Sequence, residues 1–233
     1  MGAGGVIIPP AGYFEAIRPV LEKYDVLMIS DEVINGFCRT GEWFGADTYN
    51  VNPTSMSLAK QLTGGYAPLS AVALCREQAE VIEQHTGKIG TLGHGFTYGG
   101  HPVGCAAGVA AIRIYQERRI LDHVRAVSKT FLGHLDRLKD HPLVGEARGV
   151  GLIGALELSP DKTGRKTFDP AGKLGAKLAG ELVERGVILR NMGDALGFCP
   201  PMIITEAELD AMFAPMEDCL DATLAFAKSE GLV

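Results

Sequence analysis

The chain has 233 residues, 46% of them hydrophobic and 21% charged, with a net charge of -6. That length suits one large domain or two small ones with a substantial core. The acidic balance and the lack of a basic run argue against a nucleic-acid partner, and no apolar run reaches membrane-spanning length.

Five cysteines (Cys38, Cys75, Cys105, Cys199, Cys219) are scattered, with no C-x-x-C pair. Their odd number and spread predict thiols in a reducing compartment rather than a disulfide framework. The six histidines show no H-E-x-x-H or comparable spacing, so no metal centre is expected. No basic segment followed by a long apolar stretch opens the chain, which predicts no signal peptide and a cytoplasmic location.

In chain order, the apolar run at 6–8, ahead of Pro9-Pro10, reads as a strand in need of a partner. Either the chain starts within a domain, or a flexible terminus ends in an edge strand. Residues 13–24 carry Phe14, Ile17, Val20 and Leu21 at helical spacing. Residues 26–29 form a short apolar run that ends at Ser30-Asp31, and residues 56–59 form another that ends at Lys60. Such runs suit strands buried in a parallel sheet. Residues 35–53 and 61–68 read as irregular, the latter with Gly64-Gly65. A third strand is expected at 70–74, a helix at 76–84, a glycine-rich loop at 86–102, and helix from 103 to 139 broken near Gln116.

The character changes at His141-Pro142. Residues 144–158 predict strands, 161–169 a polar loop, 172–184 a helix, 187–189 a short strand, and a C-terminal helix starts near Thr205, with Glu206 and Glu208 in its first turn. The pattern is an α/β layer followed by a smaller α+β piece.

Ligands of open α/β sheets bind beyond the carboxyl ends of the strands. Two predicted strands end there in ionisable residues, Asp31 and Lys60, and the loop 95–100 adds Thr97 among glycines. A carboxylate, an amine and a hydroxyl-bearing loop match the needs of pyridoxal phosphate: an acid partner for the ring nitrogen, a lysine for a Schiff base, and donors for a phosphate. Each residue also has a plainer reading. A lysine after a strand is commonly solvated, an aspartate there commonly forms a turn, and a threonine between glycines does the same.

The surrounding motifs are more specific. Asp31-Glu32-Val33-Ile34-Asn35-Gly36-Phe37 with Arg39-Thr40-Gly41, Ser57-Leu58-Ala59-Lys60-Gln61-Leu62-Thr63-Gly64-Gly65, and His94-Gly95-Phe96-Thr97-Tyr98-Gly99-Gly100-His101-Pro102 resemble, in that order, signatures of the class III aminotransferases. The resemblance runs from about Gly4 to the C-terminus. It implies the C-terminal part of a fold type I, pyridoxal-phosphate-dependent large domain (residues 1–140) and a small α+β domain (141–233). In that family Asp31 would pair with the pyridine nitrogen and Val33 would pack on the ring. Lys60 would hold the cofactor and act as general base, and Thr97 would bind the phosphate from the other subunit of a homodimer. The stretch Val187-Ile188-Leu189-Arg190, with Phe198-Cys199-Pro200-Pro201 beyond it, resembles omega-transaminases, where the matching arginine binds a substrate carboxylate. A surface ion pair is the plainer reading of Arg190.

The implied activity is transfer of an amino group between an amine or omega-amino acid and a keto acid such as pyruvate. An aminomutase or a decarboxylating transaminase has the same motifs, and a non-catalytic fragment or interaction module is the reading from another class. Family members are longer, with an N-terminal half that carries a glycine-serine phosphate loop and a ring-stacking aromatic residue. A chain without that half is expected to expose a strand edge and apolar surface.

Overall fold

A computed structural model describes residues 2, 4–163 and 166–233. Met1 and Ala3 at the opening, and Gly164 and Arg165 of the predicted polar loop, lie outside the described residues. The chain divides into two compact units, Pro10–Leu121 and a second made of Met1–Pro9 with Asp122–Val233. The division along the chain falls after residue 121, and the first nine residues group with the later unit.

In the unit Pro10–Leu121, helix α1 (Tyr13–Lys23) keeps the predicted span. Its half-buried face rests on residues 49 and 50: Phe14 lies 5.4 Å from the Tyr49 ring, and Arg18 donates to the Asn50 carbonyl at 2.8 Å. Strand β1 (Ile29–Asp31) starts later than expected, and Val26 and Leu27 are exposed instead of paired. Within the stretch read as irregular sits a one-turn helix, α2 (Gly45–Thr48). Strand β2 (Ser55–Leu58) runs parallel to β1, with Asp31 opposite Ser57. Strand β3 (Ala71–Leu74) pairs antiparallel with β2, giving the order β1-β2-β3.

Helix α3 (Arg76–Ile89) outlasts its predicted end and stops at Gly90, whose φ of 78° takes the left-handed region that an L side chain resists. Helix α4 (Pro102–Glu117) starts with proline in its first turn, where no amide hydrogen is needed. The break expected near Gln116 falls at Arg118-Arg119, and α5 (Ile120–Arg137) follows. Both outer strands of the small sheet lack a strand neighbour on one side among the described residues. Ile29 and Val72 are 69% and 65% exposed, so the expected open edge and apolar surface are present.

The second unit is built on a four-stranded antiparallel sheet. Strands β4 (Val144–Val150) and β5 (Ile153–Leu158) lie where strands were expected and pair as a hairpin. Helix α6 (Lys173–Glu184) leads to β6 (Arg190–Met192) and β7 (Ala195–Phe198), giving the order β4-β5-β7-β6. The strand expected at 187–189 starts instead at Arg190, because the Val187 amide is spent closing α6 onto the Leu182 carbonyl. Strand β7 went unread in the sequence. The C-terminal helix is two, α7 (Glu206–Phe213) and α8 (Met216–Ser229), broken at Pro215. Phe131, Leu156, Leu178, Leu196, Phe198 and Met216 form its fully buried centre.

The run at 6–8 makes no strand. A side chain holds its start: Arg148 donates to the Gly5 oxygen at 2.6 and 2.9 Å and to the Val6 oxygen at 3.2 Å, while Glu146 and Glu157 balance its charge.

Candidate active site

Parallel pairing puts the carboxyl ends of β1 and β2 on the same side of the sheet. Asp31 is the last residue of β1, and Lys60 follows β2 by two residues. The structure therefore brings two of the sequence-predicted residues to one end of one strand pair. Alternation along β1 sends neighbouring side chains to opposite faces. Asp31 is exposed, while Glu32, just past the strand, is 1% exposed.

The Asp31 carboxylate is held through one oxygen. Oδ1 accepts from the Val33 amide at 3.1 Å and from the Ser57 hydroxyl at 3.0 Å, and among the described residues no hydrogen bond reaches Oδ2. The first of these bonds is the local turn that aspartate commonly forms, so the plainer reading of Asp31 holds for one oxygen only. Val33 is half-buried beside it.

Glu32 anchors the turn from below. Its carboxylate accepts from the Gly45 and Ala46 amides at 2.7 Å each and from the Ser30 hydroxyl at 2.8 Å. Gly45 is dictated by this approach, since a Cβ there would sit 3.0 Å from the Asn35 Cβ and 3.2 Å from Glu32 Oε2. Sequence reasoning passed over both Glu32 and Ser57. The signal for Ser57 was strand pairing, which a single sequence does not display.

Lys60 opens a 3₁₀ turn, Lys60–Leu62, with φ of 46°, and its side chain is exposed. A left-handed lysine is strained by roughly 1–2 kcal/mol. Its turn is tied down on both sides. Tyr115 of α4 donates to the Gln61 carbonyl at 2.6 Å, and Thr63 donates to the Ala67 carbonyl at 2.7 Å. Burial pushes the Tyr115 phenol above its ordinary range, with the nearby Cys38 adding to the rise, so the hydroxyl stays a donor.

Thr97 lies in the exposed loop ahead of α4, within a turn closed by the Gly99 amide on the Phe96 carbonyl at 2.8 Å. It makes no hydrogen bond to Asp31 or Lys60. Its neighbours Phe96 and Tyr98 are 80% and 82% exposed and line a groove of about 1120 Å³ with Leu69, Val72 and His101. Arg190 opens β6 in the other unit, is exposed, and makes no ion pair among the described residues. Its hairpin is clamped to α6: Asp194 accepts from the Gly172 and Gly175 amides at 2.7 and 3.0 Å, and a Cβ on Gly175 would sit 1.9 Å from the Gly193 oxygen.

These groups fit pyridoxal phosphate. An exposed carboxylate with one uncommitted oxygen suits a protonated ring nitrogen, and an exposed amine stands at the end of the adjacent strand.

The class III aminotransferase family model matches residues 1–220. The chain is 43% identical to gamma-aminobutyrate transaminase 1, a mitochondrial protein of Oryza sativa subsp. japonica, over 96% of this chain and 43% of the relative. It is also 43% identical to the diaminobutyrate–2-oxoglutarate transaminase of Halomonas elongata, over 100% of this chain and 50% of that protein. Among solved structures, the omega transaminase of Pseudomonas jessenii in complex with PMP superposes with a TM-score of 0.94 at 42% identity, covering 97% of this chain and 50% of that one. A transaminase with L-ala matches at 0.94 and 45% identity, covering 97% and 53%. The chain thus spans about half the length of the relatives it matches. The fold, the ordered motifs and these likenesses agree that the chain belongs to the class III aminotransferases.

Proposed function

We propose that this chain carries the lysine half of a pyridoxal-phosphate-dependent transaminase, which moves an amino group between an amine or omega-amino acid and a keto acid such as pyruvate. The observation that carries the reading is the placement of Asp31 and Lys60 at the carboxyl ends of two neighbouring parallel strands, in a chain of this family. Pyridoxal phosphate, when bound, supplies a protonated ring that accepts the electrons of a C–H bond broken at the substrate.

The protein's own residues do the rest. Asp31 holds the ring nitrogen in its protonated form by opposite charge. Val33 packs on the ring face. Lys60 would anchor the cofactor through its amine and, once displaced by the substrate amine, would carry the proton at Nζ between the substrate carbon and the cofactor C4′. Thr97 donates to the phosphate across a two-fold interface, a role its exposed loop supports. Arg190 binds the substrate carboxylate bidentately. A cytoplasmic location is our reading from the scattered cysteines. Among the described residues no helix is long and apolar enough to cross a membrane.

Adding pyridoxal phosphate to the purified chain is expected to produce an imine absorbance band that Lys60→Ala abolishes. A band of equal size in both proteins would show attachment elsewhere and overturn the role of Lys60. For the full-length parent, no amine-dependent conversion of pyruvate or another keto acid at saturating cofactor would overturn the activity.

A further inference from the structure

We infer that Ser57 is a positioning residue for the cofactor's ring nitrogen and acts through Asp31, holding Oδ1 so that Oδ2 alone serves as the acceptor. The inference rests on the proposed function.

A carboxylate turns easily about its last side-chain torsion, which has a broad two-fold profile. On the exposed Asp31 only hydrogen bonds can select one orientation. Both of the bonds present fall on Oδ1, from the Ser57 hydroxyl at 3.0 Å and the Val33 amide at 3.1 Å. The amide lies two residues away in the same turn, so it cannot set the carboxylate relative to anything else. The Ser57 hydroxyl can, because it comes from β2, the strand that leads into Lys60. Asp31 and Ser57 are registered neighbours across the parallel pair. One hydroxyl therefore references the carboxylate to the strand that carries the lysine. Glu32 keeps the amide donor still, since its buried carboxylate pins the next residue of the turn to the Gly45 and Ala46 amides.

The test compares the full chain with Ser57→Ala, Ser57→Thr and Asp31→Asn, using pyridoxal phosphate labelled with nitrogen-15 in its ring. Loss of the hydroxyl is expected to weaken cofactor binding about fivefold, the worth of one hydrogen bond of roughly 1 kcal/mol. It should also move the ring nitrogen resonance towards the unprotonated position at fixed pH, in the same direction as Asp31→Asn. Ser57→Thr keeps a hydroxyl and should restore both. A Ser57→Ala protein that matches wild type in affinity and in nitrogen shift, while Asp31→Asn differs, overturns the inference.

Failure of the wild-type chain to bind cofactor counts against the proposed function and is separable. In that case the carbon-13 resonance of the Asp31 carboxyl group in the free chain decides. A shift that moves in Ser57→Ala and returns in Ser57→Thr supports the positioning role, and an unchanged shift overturns it.

Discussion

Asp31 and Glu32 are adjacent carboxylates with opposite duties, and burial separates them. Glu32 satisfies two backbone amides that have no route to water, each costing about 1–3 kcal/mol if left unpaired. Glu32→Ala is therefore expected to destabilise the unit Pro10–Leu121 by about 3 kcal/mol in urea denaturation. Asp31→Asn should leave the urea midpoint almost unchanged and weaken cofactor binding; a large loss of stability there would give Asp31 the structural role instead. Lys60 presents the reverse case, a residue held against its own backbone preference. Lys60→Gly is expected to be as stable as wild type or more so, by up to about 1 kcal/mol, while losing the absorbance band. A marked drop in melting temperature would show that the lysine side chain supports the fold.

At the scale of elements, Tyr115 joins α4 to the turn of Lys60 across 54 residues of sequence. Its phenol is raised above the ordinary value of 10.0, so folding favours the protonated form. The resulting stability is complete below the unfolded value, near pH 10, and is lost as pH climbs through the higher folded value. Denaturation followed from pH 8 to pH 11 should show that decline, and Tyr115→Phe should flatten it. An identical alkaline slope in the variant would place the titration on another group, with Tyr49, also raised by burial, next in line. Helix α6 shows the same logic without titration: the hairpin bearing Arg190 is joined to it at one end by the short link after Glu184 and at the other by Asp194.

At the scale of the whole chain, the two units differ in how well they cover themselves. The unit holding Asp122–Val233 buries large side chains completely, among them Phe131, Leu156 and Met216. The unit Pro10–Leu121 leaves Ile29, Val72, Phe96 and Val103 open to solvent around a sheet with unpaired edges. Apolar surface of that kind favours association. The purified chain is expected to bind an apolar-surface dye and to gain apparent mass with concentration in sedimentation. A dye-silent, concentration-independent monomer would show that the surface is covered in solution.

The sequence by itself determined what is local or motif-bound. Helical periodicity placed α1, α4, α5 and α6, and the segments around Asp31, Lys60 and Thr97 carried the family and hence the fold. Only the tertiary structure decided which strand registers with which. That register set Ser57 beside Asp31, started β1 at Ile29, and made β7, whose residues show no alternation because both faces are buried. It also decided that Glu32 faces inward, that Lys60 turns left-handed, and that the apolar run at 6–8 is held by Arg148 and not by a strand. The physical reason is common to all of these. Register and burial depend on contacts between residues far apart in the chain, whereas periodicity and capping depend only on near neighbours.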